Sequence, residues 1–159
     1  MVIRKAVESD IERVLCMYGE LYDLLAALGL PYSLSESDLK SIVPALMKSK
    51  LCRFAVAEDD EGICGFVSAA VVRMDRKLKY DGDVTVGVIN DIFAAERVRG
   101  RGVSAKLLAH AESFFEENGV RIVESQVIMK NEISASFFSK NGYGELARIM
   151  FKTLPRKES

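Results

Sequence analysis

Residues 2–5, VIRK, read as a short strand, and from residue 11 a helical period sets in. Ile11, Val14, Leu15, Tyr18, Leu21, Tyr22 and Leu25 recur at the spacing of one helix face. Ser9-x-x-Glu12 stands ahead of that stripe as a capping box, so the pattern predicts a short strand and then a capped helix ending near Gly29. Such a stripe is the usual sign of burial, although Tyr18 and Tyr22 could also reach a substrate. Pro31 breaks the chain. The run SLSESDLK then offers a new N-terminus for a second helix burying Leu39, Ile42, Val43, Leu46 and Met47, with Pro44 a point at which it could shorten or kink.

Two-residue alternation and β-branched runs predict strands over 53–58 and 63–72, a polar loop MDRKLKYDGD, and a strand over 84–94. In that loop Arg73, Arg76, Lys77 and Lys79 read as a solvated face. A helix beginning near Val103 or Ser104 would bury Leu107, Leu108, Ala111, Phe114 and Phe115. A strand over 121–129, a short helix over 134–140 and an abbreviated last strand or pair within 143–153 complete the pattern, and PRKES is read as a frayed tail.

Composition narrows the class. A chain of 159 residues fits one domain spanning 1–159, large enough to bury a core without metal or disulfide staples. With 49% apolar residues, 28% charged residues and a net charge of −1, nothing calls for nucleic acid. No stretch reaches the roughly 18 apolar residues of a membrane span. The start MVIRKAVESD reads as strand and cap, not a signal peptide. Cys16, Cys52 and Cys64 are odd in number and lack metal spacing, which suits reduced thiols and a cytoplasmic protein. The lone His110 falls within the helix after residue 103 and is expected to be partly exposed.

The candidate chemistry lies in residues 89–108, INDIFAAERVRGRGVSAKLL. An apolar strand runs there into an Arg/Gly loop and then into a helix. Gly100 and Gly102 permit backbone N–H groups to converge, and Arg97, Arg99 and Arg101 surround them. The unpaired N–H groups and positive dipole end of the following helix face the same loop, which makes it a candidate anion site. Other readings are a basic surface turn, or a dinucleotide fingerprint through Gly100-x-Gly102-x-x-Ala105 with Glu124 downstream. Against the latter, Ala95, Glu96, Arg97 and Val98 separate strand from glycines, and too little chain follows for a long parallel sheet. No G-x-x-x-x-G-K-[ST] is present.

The segment ERVRGRGVSAKLL closely resembles the acetyl-CoA-binding segment of the GNAT N-acetyltransferases, Arg/Gln-x-x-Gly-x-Gly/Ala. Arg97-x-x-Gly100-x-Gly102 fits it fully, and Arg99-x-x-Gly102-x-Ser104 fits with Ser in the last place. Three further segments resemble the family in its order. VIRKAVESDIERVL is similar to its first strand and helix. RFAVAEDDEGICGFVSAAVV is similar to its second and third strands, with Gly65 just inside the third, and VIMKNEISASFFSKNGYGE to its fifth strand and fourth helix.

The resemblance implies an α/β GNAT fold: a single mixed, mostly antiparallel twisted sheet, splayed between its fourth and fifth strands, with helices on both faces. It implies acetyl-CoA as cosubstrate, no metal, an amine-bearing acceptor, no nucleic acid or membrane partner, and is compatible with a homodimer. A bulge in the strand ending Ile92-Phe93-Ala94 would open a gap from Val127-Ile128 for the pantetheine arm, with a backbone N–H near Phe93 or Ala94 holding the thioester oxygen. Arg99, Gly100, Arg101, Gly102, Val103 and Ser104 would hold the pyrophosphate, Arg99 or Arg101 lying near the 3′-phosphate. Asn131 would meet the pantetheine, and Ser134 and Phe138 would lie beside the sulfur.

Two positions depart from the family. Asn90 stands where many members have a carboxylate, and an amide is no base. Asp91 is adjacent, but neighbouring strand residues face opposite sides, so only the bulge could bring both to the site; it would otherwise be an acceptor for loop N–H groups. Phe138 stands where members using a general acid often have Tyr, and Tyr143 is the candidate substitute.

Three functions follow: an N-acetyltransferase acting by direct attack on acetyl-CoA, an acyl-CoA-binding sensor or partner module with little turnover, and a nucleotide-binding domain. The acceptor would be bound by the first two helices, residues 29–37 and the third-to-fourth strand loop. Glu20, Asp23, Glu36 and Asp38 there could attract a cation such as a polyamine or lysine, or form a solvated helix face.

Overall fold

The computed structural model describes residues 1–157. Its elements are β1 (Val2–Lys5), α1 (Ile11–Ala27), α2 (Glu36–Lys48), β2 (Cys52–Asp59), β3 (Gly62–Arg73), β4 (Thr85–Ala94), α3 (Val103–Glu117), β5 (Val123–Ser125) and α4 (Glu132–Lys140). The strands lie side by side in chain order; β1 to β4 pair antiparallel, and β5 joins β4 in parallel through the α3 crossover. None of the helices described is long and apolar enough to cross a membrane.

The two faces of the sheet carry different chemistry. Phe54, Phe66 and Phe93, on three adjacent strands, form a row on one face with centroids 5.7 and 6.2 Å apart, and Tyr18 of α1 lies 4.6 Å above Phe66. On the other face α3 buries Val103, Leu107, Leu108, Ala111, Phe114 and Phe115. It comes so close to β4 that a Cβ at Gly87 would stand 2.8 Å from the Phe115 ring. Arg53 caps this face, its guanidinium 4.9 Å from the Phe114 centroid.

Local starts and stops differ from the pattern in four places. Ser9 is not the cap of α1: a 3-10 turn over Glu8–Asp10 precedes the helix, and the Asp10 carboxylate accepts the Val7 N–H at 2.8 Å. Asp10 wins because Arg4, itself bonded to Glu58, pairs with it in a nearly buried site and holds its carboxyl below the usual range. Pro44 does not end α2, which continues to Lys48 from a Ser35 cap whose hydroxyl accepts the Asp38 N–H. The strand expected over 121–129 is paired only at Val123–Ser125, because the ladder with β4 stops at Ile89. The last strand or pair expected within 143–153 does not form. A strand needs a neighbour to take its backbone bonds, and the apolar side chains of this segment stand in solvent. Glu158 and Ser159 of the PRKES tail lie outside the described residues.

The same substitution should have opposite signs at two glycines. Gly87→Ala should cost about 1–3 kcal/mol, since the buried Phe115 ring cannot retreat. Gly19→Ala, mid-α1 with nothing within 4 Å of the new Cβ, should add about 0.5–1 kcal/mol. Urea unfolding of both variants checks the pair.

Candidate active site

The ladder between β3 and β4 runs in register from Arg73 opposite Thr85 to Ala69 opposite Ile89, then skips one residue, so that Ser68 faces Asp91. Asn90 is the extra residue. Gly87 and Ile89 lie toward α3, and unbroken alternation would send Asp91 there too. The bulge reverses the parity, placing Asp91 and Phe93 on the α1 face instead. Asp91 there accepts a hydrogen bond of 3.0 Å from the Tyr18 hydroxyl, across 73 positions of sequence. Burial pushes the Asp91 carboxyl up, and the Tyr18 bond opposes part of that rise. Burial and the Asp91 carboxylate both push the Tyr18 phenol up, so Tyr18 remains a donor.

Asn90 and Asp91 both line a cavity of about 470 Å³ with Tyr18, Tyr22, Leu34, Ser35, Asp38, Leu39, Ile42, Leu46 and Ser68. The floor is polar and the α2 wall is aliphatic. Tyr22 and Leu34 also border a second hollow of about 440 Å³ reaching Asp23 and Glu36. Of the four acidic residues singled out in the sequence, Glu20 is instead paired with Arg13 at 3.0 Å. The third-to-fourth strand loop lines neither hollow; Arg121 holds it elsewhere through Asp81 and Asp83 at 3.0 and 2.7 Å.

On its other edge β4 has a gap. Ala95 N–H bonds Cys64 O at 2.8 Å within the β3 ladder, so alternation turns the backbone groups of Ile92 and Ala94 away from β3, toward the β5 side. β5 pairs only with residues 87–89, leaving that side of 90–94 open. Beyond Ala94 the chain makes a 3-10 turn and enters α3 through Gly100 and Gly102, at φ of 75° and 73°. A Cβ at either would meet nothing within 4 Å, so their left-handed backbone, rather than crowding within the chain, calls for glycine. The first bond into the helix is Lys106 N–H to Gly102 O at 3.1 Å, which leaves the N–H groups of Val103, Ser104 and Ala105 as free donors at the helix start. Arg99 and Arg101 are exposed beside them. Arg97 is not part of this cradle: it grips Asp59 of β2 with two bonds of 2.7 and 2.9 Å and holds that carboxyl down at about 2.

The remaining candidates lie around α4. Asn131 caps it, its side-chain oxygen accepting the Ser134 N–H at 3.1 Å. Phe138 is buried, with the Tyr143 ring edge-on at 5.1 Å. The Tyr143 hydroxyl donates to Glu112 of α3 at 2.8 Å, on the face of the sheet opposite Asp91. Burial and that bond push its phenol up. His110 is half-buried mid-α3, and Cys16, Cys52 and Cys64 are free thiols, none of them in the cavity. The sequence left Tyr18 as a stripe residue with an optional reach to substrate. Its bond to Asp91 had no local signal, because it exists only once α1 lies over the bulge.

An open-sided sheet, a bulged fourth strand and a glycine loop feeding a helix start define a class, and the chain belongs to it: the Acetyltransferase (GNAT) family profile matches residues 20–143. A Bacillus subtilis (strain 168) protein, YhfO, described as an uncharacterized N-acetyltransferase, is 23% identical over 149 residues, 91% of each chain. The aminoglycoside antibiotic 6'-N-acetyltransferase AAC(6')-IG from Acinetobacter haemolyticus shares the fold with a TM-score of 0.78 at 18% identity, over 99% of this chain and 100% of that one. AAC(6')-Iy bound to the bisubstrate analogue CoA-S-monomethyl-acetylneamine gives 0.77 at 20% identity, over 97% of each chain.

Tyr18→Phe should raise the Asp91 pKa further, since it removes the one hydrogen bond that lowers it and leaves burial in place. Carboxyl-carbon NMR across a pH series reads this directly; an unchanged or lowered Asp91 titration would show that the bond is not formed.

Proposed function

We propose that the protein is an N-acetyltransferase that moves the acetyl group of acetyl-CoA to the primary amine of a small molecule or peptide by direct attack. The observation that carries this reading is the placement of Asp91: a half-buried carboxylate, held by Tyr18, on the floor of a cavity beside the open edge of β4. A structural neighbour bound to a CoA-containing bisubstrate analogue supports acyl-CoA as the donor. Aminoglycoside acetyltransferases among the neighbours support an amine acceptor.

The free N–H groups of Val103, Ser104 and Ala105, with Gly100 and Gly102 open above them, fit a pyrophosphate, and exposed Arg99 and Arg101 supply positive charge beside it. The Ile92 and Ala94 backbone groups fit the amides of a pantetheine arm lying along β4, and the Ala94 N–H is the donor placed to polarise a thioester oxygen. Asn131 and Ser134 border the same arm, and Phe138 closes the apolar side.

In the reaction the amine nitrogen attacks the thioester carbon, a C–N bond forms, the C–S bond breaks, and CoA leaves as a thiolate. Asp91 takes the proton from the incoming ammonium; its raised pKa makes it a stronger base than an exposed carboxylate. Tyr18 holds the carboxylate in place and Asn90 orients the amine by hydrogen bonding. Phe138 has no proton to give, and the Tyr143 proton is committed to Glu112, so the second nitrogen proton, shed as the tetrahedral intermediate collapses, passes through water to the departing thiolate.

Calorimetry should show acetyl-CoA binding far tighter than NAD or ATP. Gly102→Asp, which adds a side chain at positive φ and a negative charge in the cradle, should abolish that binding with native circular dichroism retained, while Arg101→Ala should weaken it less. Equal or tighter NAD binding would overturn the assignment.

An amine panel read by free-thiol release identifies an acceptor and fixes the pH profile. Asp91 acts as a base only when ionised, and its pKa lies above the ordinary carboxylate range. The kcat/KM should therefore rise through that raised pKa and level well below the pKa of the amine. Asp91→Asn should remove the plateau and lower the rate about 10²–10⁴-fold at neutral pH. A structural Asp91 would instead lower stability and leave the shape of the profile unchanged. Tight acetyl-CoA binding with no turnover on any amine would leave the sensor reading.

A further inference from the structure

The cavity above Asp91 is one-sided in its charge. Asp91 and Asp38 are the acidic residues that line it, and among the described residues around it there is no Lys, Arg or His. Asp91 lies on the floor, held by Tyr18. Asp38 is exposed and already accepts the Ser35 hydroxyl at 2.7 Å, within the cap of α2. The wall that α2 presents is hydrocarbon. Leu39, Ile42 and Leu46 recur there at helical spacing, while Val43 beside them is fully buried in the core. Ile42 remains 49% exposed, so α2 carries more apolar surface than the core takes up, and that surplus faces the cavity.

Each part of this lining restricts the acceptor. The floor carboxylate takes an ammonium. An acceptor that also carries a carboxylate or phosphate meets two like charges here and no cation. A second ammonium would lie against leucine and isoleucine, losing hydration without a partner. Reaching Asp38 would offset little, because an exposed ion pair is worth about a fivefold gain in affinity at most. Hydrocarbon fares better on the same wall, where each methylene removed from water is worth roughly three- to fourfold. The volume of about 470 Å³ is that of a pocket for a small organic ligand.

We propose, resting on the transferase reading above, that the acceptor is a monoamine with an uncharged apolar body, a primary amine on a hydrocarbon chain or ring. Its nitrogen meets Asp91 and its body lies against Leu39, Ile42 and Leu46, with Ile42 setting the preference.

Three amines of matched length isolate the far end of the acceptor: hexylamine, 1,6-diaminohexane and 6-aminohexanoate end in methyl, ammonium and carboxylate. With acetyl-CoA saturating, kcat/KM read by free-thiol release should favour hexylamine about tenfold over the diamine, counted per amine, and by a larger factor over 6-aminohexanoate. It should also rise about tenfold from butylamine to hexylamine. Ile42→Lys, which sets a cation on the wall at a half-exposed position, should cut the preference for hexylamine over 6-aminohexanoate by about tenfold or more, with acetyl-CoA affinity by calorimetry unchanged. A diamine that matches or exceeds hexylamine would overturn the proposal and leave the transferase reading intact. A flat alkylamine series, or an unchanged preference in a folded Ile42→Lys, would do the same. Turnover of no amine would sink the transferase reading instead, and the methyl NMR signal of Ile42 then decides the pocket. Hexylamine should shift that signal saturably and 6-aminohexanoate should not; no shift with hexylamine, or an equal shift with both, would overturn the proposal as well.

Discussion

A strand presents successive residues to opposite faces of its sheet, and β4 breaks that rule once, at Asn90. Before the bulge its inward residues serve α3, with Gly87 against Phe115 and Ile89 fully buried. After it they serve α1, where Asp91 meets Tyr18 and Phe93 joins the Phe66 row. One strand thereby anchors two cores, and the carboxylate falls at the crossing point. The ladder with β5 ends one residue earlier, at Ile89, so the same irregularity marks the start of the open edge.

Much of the remaining polar chemistry keeps that geometry in place. Arg4 ties Asp10 before α1 to Glu58 of β2, fixing the helix that carries Tyr18. Arg97 ties the turn after β4 to Asp59 at the end of β2. Its neighbours Arg99 and Arg101 have no such partner among the described side chains, and stand free at the start of α3. Three arginines at alternate positions thus divide their labour: the one nearest the strand is structural, and the two nearer the helix are available to an anion.

The helices and central strands were legible because amphipathic period is a local property. The stripes over α1 and α3 and the alternation over β2 to β4 predicted elements within a few residues of those observed. The glycine loop was legible because a left-handed backbone demands particular residues. Failures came where two distant parts compete for one group. Ser9 matched a cap, but Asp10 had Arg4 beside it, so Asp10 took the Val7 N–H. Arg97 matched the motif, but Asp59 reached it first. Residues 143–153 hold a short apolar run of the kind that fills a strand, yet a strand exists only beside another, and β5 in this chain does not receive it.

By itself, the sequence determined the order and type of the main elements, the glycine loop before α3 and the family, because each depends on spacing within a few dozen residues. Only the tertiary structure decided the face on which Asp91 lies, its bond to Tyr18, the cavity between α1, α2 and β4, and the commitment of Tyr143 to Glu112. These depend on a single inserted residue in a ladder and on side chains brought together across 73 and 31 positions, and no local pattern records which partner a folded chain will set beside a given group.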